Sequence, residues 1–99
     1  MTRAEVLAWL ESRRPAPPPT LRTHLDQQVS DLAAELPEHL VARGCALLDD
    51  VLARPEGGRA LALDLLAADA LVTYAFEAQA ERDPHGLVTL ARRVAGSDA

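Results

Sequence analysis

RALALDLLAADALVTYAFEAQAER, Arg59 to Arg82, is the stretch whose reading decides the fold. Ala, Leu and Glu are strong helix formers, and neither Gly nor Pro interrupts the run. It predicts one helix, roughly 35 Å long at ~1.5 Å per residue. Leu61, Leu65, Val72 and Phe76 lie on one side, Leu63, Leu71 and Tyr74 on another, and alanines fill much of the rest. The one consistent polar stripe is Asp69, Thr73 and Glu77, spaced i, i+4, i+8. A helix with so little polar face is buried among other helices. It does not read as a membrane span, because Asp64 and Asp69 break the apolar run well short of ~18 residues. The fold class expected is all-α: a small bundle of about four helices around this long central one, plus an N-terminal amphipathic helix on a Pro-rich spacer.

Upstream, Pro55-Glu56-Gly57-Gly58 reads as a loop by its turn chemistry. Pro37 opens a helix that ends near Arg54, since proline at the first helical position forfeits only an orphan amide. Leu40, Val41, Leu47, Leu48, Val51 and Leu52 give that helix a broad apolar face. Gly44 lies at its centre and predicts close approach of another helix. Leu21 to Leu36 reads as the preceding helix, capped by Thr20 or Thr23. Its Leu21, Leu25, Val29, Leu32 and Leu36 form a stripe as narrow as a coiled-coil seam. Whether it runs on into the next helix as one kinked rod stays open.

The first helix is expected over Thr2 to Arg14. Thr2-x-x-Glu5 has the capping-box form; Val6, Leu7 and Leu10 make the apolar face, with Trp9 at its flank. RPAPPPT, Arg14 to Thr20, is a stiff spacer, because successive prolines lack amide donors and favour polyproline II. Downstream, Asp83 is the expected N-cap of a last helix that opens on Pro84. Leu87, Leu90, Ala91 and Val94 face inward, Gly96 ends the helix, and Ser97 to Ala99 is a frayed tail. The organisation expected is an N-terminal helix at 1–14, a linker at 15–20, a helical bundle at 21–96 and the tail at 97–99.

Composition narrows the functions. Ninety-nine residues make one domain with a thin core. A net charge of -5 argues against sequence-independent nucleic-acid binding, which needs a basic footprint. Every basic residue is Arg, and Lys, Ile and Asn are absent, the codon bias of a GC-rich bacterial genome. Cys45 is the only cysteine, so no intramolecular disulfide forms and a reducing cytoplasm fits. Glu5 and Glu11 interrupt the N-terminal apolar stretch, which is no signal peptide.

Motifs for chemistry are sparse. His24, His39 and His85 show neither helical zinc spacing nor the Glu-x-x-His of di-iron bundles, so neither a metal nor another cofactor is expected. No nucleophile elbow or phosphate loop appears, and no catalytic residue is assigned. Leu47-Leu48-Asp49-Asp50-Val51-Leu52 resembles, over these six residues, the first aspartate-rich segment of trans-prenyl diphosphate synthases. The third acid of that DDxxD motif would fall at Ala53, and the second aspartate-rich motif is missing, so no activity follows. Asp50 instead stands i, i+4 from Arg54, as in a solvated charged face.

The function expected is that of a non-enzymatic interaction or scaffold module that self-associates as a homodimer or binds another protein. Its candidate interaction residues are Val6, Trp9, Leu10, Leu21, Leu25, Val29 and Leu32. The alternative is a small-molecule- or metal-binding regulatory domain with Asp64, Tyr74 and Asp50 as polar contacts. Asp64 points away from the polar stripe of its helix, so it is ion-paired with an arginine of a neighbouring helix, lies near an open end of the bundle, or is an acid/base or ligand group of raised pKa. An apolar cavity touching Asp64 would favour the alternative; an arginine bonded to it would remove the main support.

Overall fold

The computed structural model describes residues 1–31, 34–54 and 57–96. The fold is all-α: α1 (Arg3–Glu11), α2 (Pro19–Gln28), α3 (Leu36–Ala53), α4 (Arg59–Arg82) and α5 (Leu87–Ala95), with a 3-10 turn (Pro84–Gly86) before α5 and no strand among the described residues. The long helix has the bounds that its composition predicts. Gly58 precedes it at φ 120°, a backbone that side chains strongly disfavour, so the glycine sets the entry into α4. Among the described residues no helix is long and apolar enough to cross a membrane.

The principal packing is α3 against α4. The two are joined by a short connection and form an antiparallel pair. Gly44 is buried in this contact. A Cβ built on it would meet Val72 Cγ2 at 2.8 Å, the Ala68 carbonyl oxygen at 3.1 Å and Leu71 Cβ at 3.2 Å. α2 packs on one side of α4, and α5 runs back along the other, touching both α3 and α4. The core joins all five helices: Val6, Leu25, Leu40, Leu71 and Ala75 are fully buried, with Leu10, Leu36 and Leu90 nearly so.

α1 carries the complete capping box. Glu5 N donates to Thr2 Oγ1 at 3.2 Å, and Thr2 N donates to Glu5 Oε1 at 2.9 Å. The helix nevertheless ends at Glu11, three residues before the expected Arg14. α2 differs more. It starts at Pro19, so Thr20 and Thr23 lie inside it rather than capping it, and Thr23 Oγ1 donates back to the Pro19 carbonyl at 3.1 Å. It stops at Gln28, far short of Leu36.

The early stop has a tertiary cause. Arg3 Nη2 donates to the Asp26 carbonyl at 2.9 Å, and Arg43 Nε donates to the Gln28 carbonyl at 3.1 Å. Two guanidiniums thus satisfy carbonyls that a further helical turn would have used. Val29 then adopts extended backbone and buries its side chain, while Leu36 becomes the first residue of α3. Helices two and three are therefore separate. Leu32, the Pro55-Glu56 part of the loop and the tail at 97–99 lie outside the described residues.

Candidate functional site

The structure turns most of the candidate interaction residues inward. Val6, Leu10, Leu25 and Val29 are at most 4% exposed, all within the chain's own core. Leu21 and Trp9 are half-buried and pack against that core.

Trp9 is held in cis by a polar and aromatic clasp. Its ring meets Tyr74 edge-on, with centroids 6.2 Å apart and an interplanar angle of 89°. Arg13 lies over the indole at 4.1 Å, a cation–π geometry. Glu81 accepts from Trp9 Nε1 at 3.2 Å and from Arg13 Nη1 at 2.6 Å. The bond from Arg13, reinforced by the one from Trp9, holds the Glu81 carboxyl below the usual carboxylate range. A depressed folded-state pKa stabilises the docked α1 fully above the ordinary Glu pKa, and that stabilisation is lost as pH falls through the depressed value. The fluorescence of Trp9 is therefore expected to stay constant down to about pH 5 and to change only below the unperturbed Glu range of about 4.3. Glu81→Gln should flatten the part of that transition due to this carboxyl; a transition centred near neutrality would contradict the assignment.

Tyr74 is occupied by the same contact. Burial pushes its phenol pKa up, helped by Glu77 and opposed by Arg22 and Arg13. Its outer edge borders a shallow cavity of about 290 Å³ shared with Asp69, Glu77 and Arg14. Arg22 ties α1 to α2, with Nη1 at 2.5 Å from Glu11 Oε2 and Nη2 donating to the Leu7 carbonyl at 3.1 Å.

Asp64 is ion-paired. Arg54 Nη2 lies 2.7 Å from Asp64 Oδ2 and also binds Asp50, and His24 Nδ1 of α2 lies 3.2 Å from Asp64 Oδ1. One arginine at the end of α3 thus joins Asp50 on its own helix to Asp64 on α4, while His24 brings in α2. None of the five main cavities is lined by Asp64. The arrangement is that of a structural clamp, and the ligand reading loses the support that an unpaired Asp64 would have lent it.

Cys45 and His39 are partly buried. Burial, with Asp49 nearby, raises the Cys45 pKa, which keeps the thiol protonated and unreactive. Burial and Arg43 lower that of His39, keeping its imidazole neutral at pH 7. Among the described residues no three of His, Cys, Asp and Glu converge on a point that would hold a metal ion.

What stays open to a partner is apolar and lies elsewhere. Leu48, Leu52, Leu65, Leu66, Val88 and Val94 are large apolar residues left exposed on α3, α4 and α5. Four of them, Leu48, Leu65, Val88 and Val94, border two depressions. One, about 290 Å³, sits between α3 and α4, where Gly44 and Ala68 form its floor and Leu48, Leu65, Val72 and Val94 its walls. The other is broader, about 620 Å³, and lies along the seam of α4 and α5 between Phe76, Ala80, Leu87, Val88 and Ala91. Sequence periodicity places these residues on apolar faces but carries no mark of which faces stay uncovered. No protein-family model, curated protein or solved structure matches this chain.

Proposed function

We propose that the chain is a non-enzymatic helical interaction module that self-associates as a homodimer through the α4–α5 seam. The observation that carries this reading is Val88. It is 61% exposed on α5 and stands at the edge of a wide depression lined also by Phe76, Leu87, Ala80 and Ala91, together with Thr73 and Glu77. A small domain gains most from covering such a surface, because its own core is thin. The chain exposes 5998 Å², against roughly 5,500 Å² for a typical monomer of this size. A two-fold contact would lay the same seam of each copy against the other, apolar on apolar. The acidic charge sets the module against nucleic acid, and the lone cysteine suits a reducing cytoplasm.

Light scattering at micromolar concentration tests the reading. Wild type is expected at twice the chain mass, and Val88→Glu at the mass of one chain with an unchanged helical circular dichroism spectrum. A wild-type monomer at that concentration would remove the dimer from the proposal.

A further inference from the structure

α5 is shorter than the groove in which it lies. Val41, Gly44, Leu48 and Leu52 form one stripe on α3, spaced three or four residues apart. Exposure climbs along it, from 4% at Val41 to 37% at Leu48 and 74% at Leu52. The facing stripe on α4 is Phe76, Val72 and Leu65, and it too opens in that direction, with Leu65 47% exposed. Val94, in the last turn of α5, walls one end of the cavity over Gly44 and Ala68. Beyond Val94 the two stripes continue, and Leu52 and Leu65 lie largely in the open, 74% and 47% exposed.

Two carboxylates flank the apolar stripes near this open end. Asp49 follows Leu48 on α3, and Asp69 stands one turn beyond Leu65 on α4. Neither carboxylate takes part in any of the salt bridges among the described residues. Among the described residues, Asp69 is the one charged side chain lining the cavity.

We infer that the open end of the α3–α4 groove is a docking site for a basic amphipathic helix of a partner protein. Leucine- or valine-type side chains one turn apart would fill the space between Leu48 and Leu65, and arginine or lysine on the flanks would reach Asp49 and Asp69. α5 shows the form of such an occupant inside this chain. It seats Leu87, Leu90 and Val94 toward α3 and α4 and carries Arg92 and Arg93 on its last turn. From Gly44 to Leu52 the groove measures about 12 Å at ~1.5 Å per residue, so a little over two helical turns suffice. A second copy fits less well, because an isologous contact here would bring two acidic rims together. The site is distinct from the α4–α5 seam and does not depend on the dimer.

The test is a fluorescence titration with two labelled amphipathic peptides of about 15 residues, long enough to hold helix on binding. Both carry the same leucine stripe; one has arginine on the flanks and the other glutamate. The arginine peptide is expected to bind at least tenfold tighter, with affinity falling as salt rises, and to shift the methyl resonances of Leu48, Leu65, Val72 and Val94. Leu65→Asp should weaken it at least tenfold. Asp49→Asn/Asp69→Asn, which leaves the apolar walls intact, should remove the preference for arginine over glutamate. Equal binding of the two peptides, or methyl shifts confined to Leu87 and Val88, would overturn the inference. So would concentration-dependent shifts at Leu48 and Leu65 without peptide, which would mark a second copy in the groove.

Discussion

Gly44→Leu is expected to lower the thermal midpoint of the domain by about 12 °C or more. The position has no room: a Cβ alone would come within 2.8 Å of Val72 Cγ2 and within 3.1 Å of the Ala68 carbonyl oxygen. Val72 is β-branched and stiff, and the Ala68 oxygen belongs to backbone, so neither yields without moving α4 away from α3. Overpacking costs typically about 1–3 kcal/mol and occasionally more; a whole isobutyl group against backbone belongs at about 3 kcal/mol or above, and each kcal/mol shifts the midpoint of a domain this small by about 4–8 °C. Gly44→Ala is a finer test. The added methyl meets the same atoms, but alanine regains about 1 kcal/mol of helix propensity. Its net cost should lie between about 0 and 2 kcal/mol. Thermal circular dichroism of the two variants decides the point. A leucine variant as stable as wild type would mean that α3 and α4 are not in close contact at Gly44.

Leu71→Ala and Leu65→Ala should differ by several-fold in cost, although they sit on the same helix and lose the same atoms. Leu71 is fully buried at the centre of α4, whereas Leu65 is 47% exposed. Truncating a buried leucine removes its transfer energy and leaves a cavity, about 2–5 kcal/mol in all. For Leu71 the upper part of that range applies, since backbone-close neighbours such as Gly44 leave little freedom to collapse. Against a total stability of about 5–15 kcal/mol this takes away a large share. Leu65→Ala should cost under about 1 kcal/mol, because much of the side chain is already in water. Its effect belongs instead to the groove, where it should weaken the arginine peptide. Urea unfolding followed through Trp9 gives both stabilities. Equal costs would show that Leu65 is covered in solution, as a second copy on the groove would produce.

The contrast between these two leucines marks the limit of what a helical pattern carries. Arg59–Arg82 could be read to its ends because what bounds it is local: the glycines before it, the Asp83-Pro84 pair after it, and strong helix formers between. The capping box at Thr2 and Glu5 is local in the same sense, and the all-α class follows from such short-range signals taken together. Gly44 was legible as a close approach because a glycine at the centre of an apolar face has few other uses. Asp64 was legible as an odd residue for its face, with an arginine partner as one of its three readings.

Other features were decided only by the tertiary structure. α2 stops at Gln28 because Arg3 and Arg43, distant in sequence, bind its last carbonyls. The Leu21–Leu36 stripe looked like a seam for a second chain, yet its Leu25 and Val29 are buried against the chain's own helices. Arg54 and His24 became the partners of Asp64 through the packing of α2 and α3 on α4. The open groove exists because α5 ends before α3 and α4 do. The periodicity of a helix states which of its faces is apolar. How far along that face a neighbour extends depends on the length and position of the neighbour, so Leu71 is covered and Leu65 is left to water.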